Sequence, residues 1–178
     1  MRLLVVEDID DINYIPHFSA NSYLLYQNLP RSTVISTDIT LQLKLYTDDG
    51  LLLYTGSDVA NQKEENADFL ALHLESRHVV LSVDLGNGVF TLRSRYSVPQ
   101  DSWIEIKIVR VEERIILNVD NQTSVHNFDR TEKYMDLNAG RNLYIGGHED
   151  LEMLRSEVNV STMFSGCICK RQLMVFSY

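Results

Sequence analysis

Two apolar runs meet at a short polar connection near the middle of this chain. Asp68-Phe69-Leu70-Ala71-Leu72-His73-Leu74-Glu75 is followed, after Ser76 and Arg77, by His78-Val79-Val80-Leu81-Ser82-Val83-Asp84-Leu85. Such a pair reads as a β-hairpin. The second run ends in Gly86-Asn87-Gly88, a sharp turn signal. Antiparallel pairing brings the start of the first run beside the end of the second, on one rim of a sheet. The Asp68 carboxylate then lies next to a turn rich in backbone carbonyls. That arrangement is a seat for a hard cation such as calcium. An aspartate opening a strand also serves simply as a turn residue.

The same period of two recurs along the chain. In residues 38–46, Ile39, Leu41, Leu43 and Leu45 fall on one face. In residues 103–110, Ile104, Ile106 and Ile108 point one way and Trp103, Glu105, Lys107 and Val109 the other. Shorter runs lie at 22–26, at 51–54 after Asp48-Asp49-Gly50, at 89–92, and at 115–120 after Glu112-Glu113. Leu143-Tyr144-Ile145 precedes a Gly146-Gly147 stop, and residues 163–176 form the last β region. Residues 57–67 read as a polar loop. Residues 1–17 are acidic and irregular, a leader or a peripheral strand. No segment carries a long helical period. Many short strands separated by turn residues predict an all-β antiparallel sandwich, folded as one domain over residues 18–178.

Charge and termini bound the setting. A net charge of −9 argues against nucleic acid and against anionic membrane surfaces as partners. An acidic domain meets acidic ligands most simply through a bound cation. No apolar run approaches transmembrane length, so direct membrane insertion is not expected. Leu3-Leu4-Val5-Val6 gives way at once to Glu7, Asp8, Asp10 and Asp11, too short and too acidic for a signal peptide. The chain is therefore either intracellular or a piece of a longer secreted protein, and the piece is the expectation taken here.

Several constellations stand against catalysis. Glycoside hydrolysis needs two positioned carboxyl groups, and no strand here presents a Glu-x-Asp-x-x-Glu pattern. Asp8, Asp10 and Asp11, like Glu149, Asp150 and Glu152, read as solvated surface. No Ser-His-Asp or Cys-His order and no phosphate-cradling glycine loop appears, so no enzymatic activity is expected. The five histidines make no His-x-x-x-His spacing, and His73 and His78 read as surface or half-buried strand positions. Arg93, Arg95, Lys107, Arg110 and Arg114, on adjacent strands, would line a modest basic face for sulfated or uronic glycans. Glu105, Glu112 and Glu113 among them suit an ordinary mixed solvent face equally. Asn121-Gln122-Thr123 and Asn159-Val160-Ser161 are N-glycosylation sequons in exposed turns or loops.

The chain has two cysteines, Cys167 and Cys169. On a strand they point to the same face, about 6.6–6.8 Å apart along the chain. A bridge between them would be strained, and Cys-x-Cys alone is too few ligands for structural zinc.

Taken in order, these segments resemble a known family. The set runs through Tyr23, Asp49-Gly50-Leu51-Leu52-Leu53-Tyr54, Asp68-Phe69-Leu70-Ala71-Leu72 and Asp84-Leu85-Gly86-Asn87-Gly88. It continues through Trp103, Val119-Asp120, Leu143-Tyr144-Ile145-Gly146-Gly147 and Phe164-Ser165-Gly166-Cys167-Ile168. Over residues 18–176 this is similar to the laminin G-like domain of laminin, neurexin, agrin, perlecan and sex hormone-binding globulin. The resemblance implies a jelly-roll-like sandwich of two curved sheets. It also implies an extracellular setting, in a matrix protein or an ectodomain, beside neighbouring domains of a longer parent chain.

For its calcium-binding members, the resemblance implies a ligand set. Asp68 would supply a carboxylate, Leu85 a backbone carbonyl, and Asp136 and Asn138 the remaining carbonyl and side chain. Calcium takes six to eight oxygens, so water or ligand would complete the shell, with a Kd of about 10⁻⁴–10⁻³ M. The implied function is calcium-assisted adhesion or matrix assembly, with a cell-surface protein or acidic glycan docking at the rim. The same resemblance admits a steroid-like small-ligand carrier, or a structural spacer with no site. The family pairs the cysteine of its Phe-x-Gly-Cys motif with one upstream, and this chain has none there. The disulfide is then absent, made outside this chain, or a strained Cys167–Cys169 bridge.

Overall fold

The computed structural model describes residues 2–6, 15–27, 36–56, 68–111, 114–128 and 142–173. They form two sheets. The first, sheet A, has seven strands in the order β1 (Arg2–Val6), β3 (Ser22–Tyr26), β12 (Leu143–Ile145), β5 (Gly50–Gly56), β6 (Phe69–Glu75), β7 (His78–Asp84) and β8 (Phe90–Arg93). The second, sheet B, has six, in the order β11 (Gln122–Asn127), β10 (Arg114–Val119), β9 (Trp103–Val111), β4 (Ser36–Leu45), β13 (Ser165–Leu173) and β2 (His17–Ser19). The expected antiparallel sandwich is the fold found. Its one parallel pair among these strands is β1 with β3, where Leu4 lies opposite Leu24.

Alternation builds the core. Ile39, Leu41, Leu43 and Leu45 of β4, Ile104, Ile106 and Ile108 of β9, and Ile115, Leu117 and Val119 of β10 face inward from sheet B. Leu70, Leu72 and Leu74 of β6 and Val79, Leu81 and Val83 of β7 meet them from sheet A. Burying a side chain of this size stabilises the fold by about 1.5–3 kcal/mol, so these rows are the main favourable term. A register shift in β5 turns both Leu52 and Leu53 into this core.

Sheet A is covered on its outer side as well. Tyr23, Leu25, Leu51, Tyr54, Phe69, Ala71 and Tyr144 form a second buried cluster there, with Leu154 and Val158 packed onto it. Those last two come from the excursion between β12 and β13, which contains two short 3-10 turns, Leu151–Met153 and Ser156–Val158. Burial on both faces is why β5, β6 and β7 read as nearly continuous apolar runs. His148 locks the start of the excursion. It is fully buried, its ring centroid lies 4.1 Å from that of Tyr144, and the Asp150 N–H donates to its Nδ1 at 3.1 Å.

One side of the sandwich is clasped between edge strands. Phe90 of β8 stacks on His126 of β11 with centroids 4.3 Å apart, and Phe128 meets both rings edge-on at 5.0 Å. Below them the Ser124 hydroxyl donates to the Arg93 carbonyl at 2.9 Å. The end away from Asp68 is stitched by backbone bonds, Arg77 N–H to the Asp48 carbonyl and Val98 N–H to the Arg77 carbonyl, each at 2.7 Å.

Candidate functional site

The Asp68 rim is fixed by register. Phe69 lies opposite Asp84 in the β6–β7 pair, so Asp68 and Leu85 are the next residues out, on the same rim. The Leu85 side chain is buried in the inner core, which anchors its backbone at that edge. Asp68 is itself only 5% exposed. The Asp84 carboxylate turns back on its own loop. Its Oδ1 accepts from the Gly86 N–H at 2.8 Å and from the Gly88 N–H at 3.2 Å. With Gly86 at φ 87° and Gly88 at φ 103°, conformations that favour glycine, this holds the turn in one shape. Sequence reasoning missed this organising role of Asp84. The signal was present, since an aspartate two residues before a turn glycine is an Asx-turn pattern.

The start of β12 lies close to the same rim. Leu143 of β12 lies opposite Thr55 of β5, Thr55 opposite Leu70 of β6, and Leu70 opposite Val83 of β7. The chain therefore enters β12 in line with the row just inside Asp68. The connection that leads there carries Asp136 and Asn138, which lie outside the described residues. Among the described residues no three histidine, cysteine or acidic side chains gather as a metal site. A cation at this rim would rest on the Asp68 carboxylate, backbone carbonyls and the residues of that connection. Hard oxygen donors of this kind fit calcium rather than a soft metal.

The basic residues do not share a face. Arg93 is on β8 of sheet A, paired with Glu75. Arg95 lies with its guanidinium 5.2 Å from the Tyr96 ring centroid. Lys107 is on the outer side of sheet B, 3.4 Å from Asp38. Arg110 continues the inward row of Ile104, Ile106 and Ile108 and is 3% exposed. Arg114 donates to the Asn127 side chain at 3.1 Å. The expected adjacency fails because β8 and β9 belong to different sheets, and because Lys107 and Arg110 stand on opposite faces of one strand.

His73 also departs from expectation. It is buried, 6% exposed, on the outer side of β6 with Phe69 and Ala71. Burial, with the Arg93 charge second, pushes its pKa down to about 4. Cys167 and Cys169 alternate with buried Gly166 and Ile168, half-buried on the outer side of sheet B. Neither is in a disulfide in this structure. Two residues apart on an extended strand, their side chains run parallel. Cys167 Sγ lies 3.8 Å from the Tyr46 hydroxyl. Both sequon asparagines are exposed, Asn121 in the β10–β11 turn and Asn159 after the second 3-10 turn.

The sequence profile of the laminin G domain family matches residues 43–173, most of the chain and all four strands that build this rim, β5, β6, β7 and β12. The chain belongs to the laminin G domain family. This laminin G domain is 30% identical to rat pikachurin over 161 residues, which is 86% of the chain and 15% of that protein. It is 30% identical over 130 residues to the mouse basement membrane-specific heparan sulfate proteoglycan core protein, covering 73% of the chain and 3% of that protein. The chain thus spans a small part of the curated relatives it matches. Among solved structures, domains LG4-5 of the mouse laminin alpha1 chain superpose with a TM-score of 0.74 at 20% identity, covering 98% of this chain and 46% of that one. The LG1-3 region of the laminin alpha2 chain gives 0.72 at 22%, covering 86% and 29%. The domain is extracellular, one of a family of matrix and adhesion binding modules. Among the described residues no helix is long and apolar enough to cross a membrane.

Proposed function

We propose that this laminin G domain is a calcium-assisted adhesion or matrix-binding module, working by recognition without turnover. The observation that supports it is the Phe69–Asp84 register, by which Asp68 and Leu85 are neighbours on one rim, next to a turn tied by the Asp84 carboxylate. Asp68 and the Leu85 carbonyl would hold the ion, with Asp136 and Asn138 completing the protein's share. Open coordination positions would then accept oxygens of an acidic glycan or of a carboxylate on a cell-surface protein. The cation also offsets repulsion between such a partner and a chain of net charge −9. The interdigitated Leu and Ile rows between the sheets support this reading over a small-ligand carrier.

Calcium titration by calorimetry and by thermal unfolding tests it, on wild type and Asp68→Ala. A ligand that binds only the folded state stabilises it by RT ln(1 + [L]/Kd), about 1.4 kcal/mol at ten times Kd. Wild type gains this at several millimolar calcium and Asp68→Ala does not. A wild-type protein that neither binds calcium nor gains stability refutes the proposal.

A further inference from the structure

We infer that Asn121 carries an N-linked glycan and that its innermost sugars lie over Trp103. The observations behind this lie at the end of the sandwich away from Asp68, and they hold whether or not the rim binds calcium.

An extracellular domain passes through the compartment where sequons are modified, and Asn121-Gln122-Thr123 is an acceptor with no proline at its centre. In that step the Asn121 amide nitrogen bonds to the anomeric carbon of a lipid-linked oligosaccharyl diphosphate. The bond from that carbon to the diphosphate oxygen breaks, the amide gives up a proton, and the lipid diphosphate leaves.

The hairpin divides its labour so that the folded chain tolerates this. Val119 pairs directly with Gln122, which leaves Asp120 and Asn121 as the turn. Asp120, with φ 47°, does the structural work. Its N–H donates to the Glu105 carbonyl at 2.8 Å, and its carboxylate accepts from the Glu105 N–H at 2.8 Å. Asn121 is the exposed residue of the two.

The Asp120–Glu105 tie sets the hairpin tip two residues from Trp103 along β9. Ile104 and Ile106 point inward, so Trp103 and Glu105 share the outer face, about 6.6–6.8 Å apart along the strand. Trp103 is 48% exposed, the only tryptophan in the chain, and Tyr46 is exposed at the same end of the same sheet. A half-exposed indole there leaves an apolar face open to a sugar. The C–H face of a hexosamine ring suits an indole face, and the covalent tether at Asn121 fixes which sugar reaches it. The other aromatic at the tip is Tyr96, whose N–H donates to the Gln122 side chain at 2.7 Å. Its ring is 59% exposed, with the Arg95 guanidinium 5.2 Å from its centroid, but it stands on the loop after β8 of sheet A, whereas Trp103 shares a strand and an outer face with the Glu105 that holds the tip.

The test secretes the full 178-residue chain from animal cells behind a secretion signal, as wild type, Asn121→Gln and Asn159→Gln. Amidase release of the glycan in heavy-oxygen water marks each modified asparagine for peptide mass mapping. The expected result is heavy-oxygen label at Asn121. Acrylamide quenching of the single indole is then compared before and after native deglycosylation. Wild type and Asn159→Gln should show a rise of about two-fold in the quenching constant as a bulky cover is removed. Asn121→Gln should show the high constant throughout. If that variant is not secreted, the enzyme-treated wild type supplies the same comparison. Secreted wild type with unmodified Asn121 overturns the inference, and so does a modified Asn121 whose removal leaves the quenching unchanged.

Discussion

Phe69 and Asp84 stand directly opposite each other in the β6–β7 ladder, and Asp84 then bends its carboxylate onto the glycine turn that follows. The pair thus sets both position and shape of the rim. Asp84→Ala strips the acceptor from two backbone N–H groups and should cost about 1–3 kcal/mol in chemical denaturation. It should also weaken calcium binding several-fold in calorimetry, although Asp84 is no ligand in this reading. Asp84→Asn keeps an acceptor oxygen and should lose less of both. Equal calcium affinity in wild type and Asp84→Ala would show that the turn does not organise the site.

His73 makes stability depend on pH. Its folded pKa of about 4 lies below the ordinary 6.5, so between these values the unfolded chain binds more protons than the folded one. Stability is full above about pH 6.5 and falls as the pH drops towards 4. Below that both states are protonated and this contribution is flat. The whole shift is worth about 3 kcal/mol. Urea unfolding of wild type and His73→Leu across this window checks it, and the variant should show the shallower dependence.

Gly166, in the Phe-Ser-Gly-Cys segment, has φ 148°, and a Cβ there would run into the Lys44 carbonyl and the Phe164 ring. Gly166→Ala should destabilise the domain by roughly 2–4 kcal/mol, since left-handed strain and overpacking act together. Thermal unfolding reads this directly. A variant as stable as wild type would mean that β13 and β4 separate more easily than their packing suggests.

The Tyr46 phenol is held above its ordinary pKa of 10 mainly by its hydrogen bond with Cys167. Cys167→Ala should bring that titration back towards the ordinary value, followed by NMR of labelled tyrosine. In wild-type protein kept free of reductant, peptide mapping should find no Cys167–Cys169 bridge.

Legibility followed the physics of burial. β4 and β9 were plain in the sequence because each shows one face to the core and one to water, the case that period two describes. β11 was not, because Gln122 to Asn127 is a polar edge strand with little apolar signal on either side. The layer over sheet A was hidden too, since Leu154 and Val158 sit among polar residues in short turns with no period of their own. His73 reads as a surface or half-buried strand position only while that layer is unseen. Arg110 occupies the next inward step after Ile108, where alternation alone gives no warning of a charge. Of the rim, Asp68 and Leu85 could be placed from pattern and resemblance, whereas the buttressing by Asp84 needed side-chain geometry.

The excursion between β12 and β13 gives the molecule a front and a back. Among the described residues it roofs the seven-stranded side and not the six-stranded side, so a flat object pressed against these strands finds a ready-made wall in only one direction.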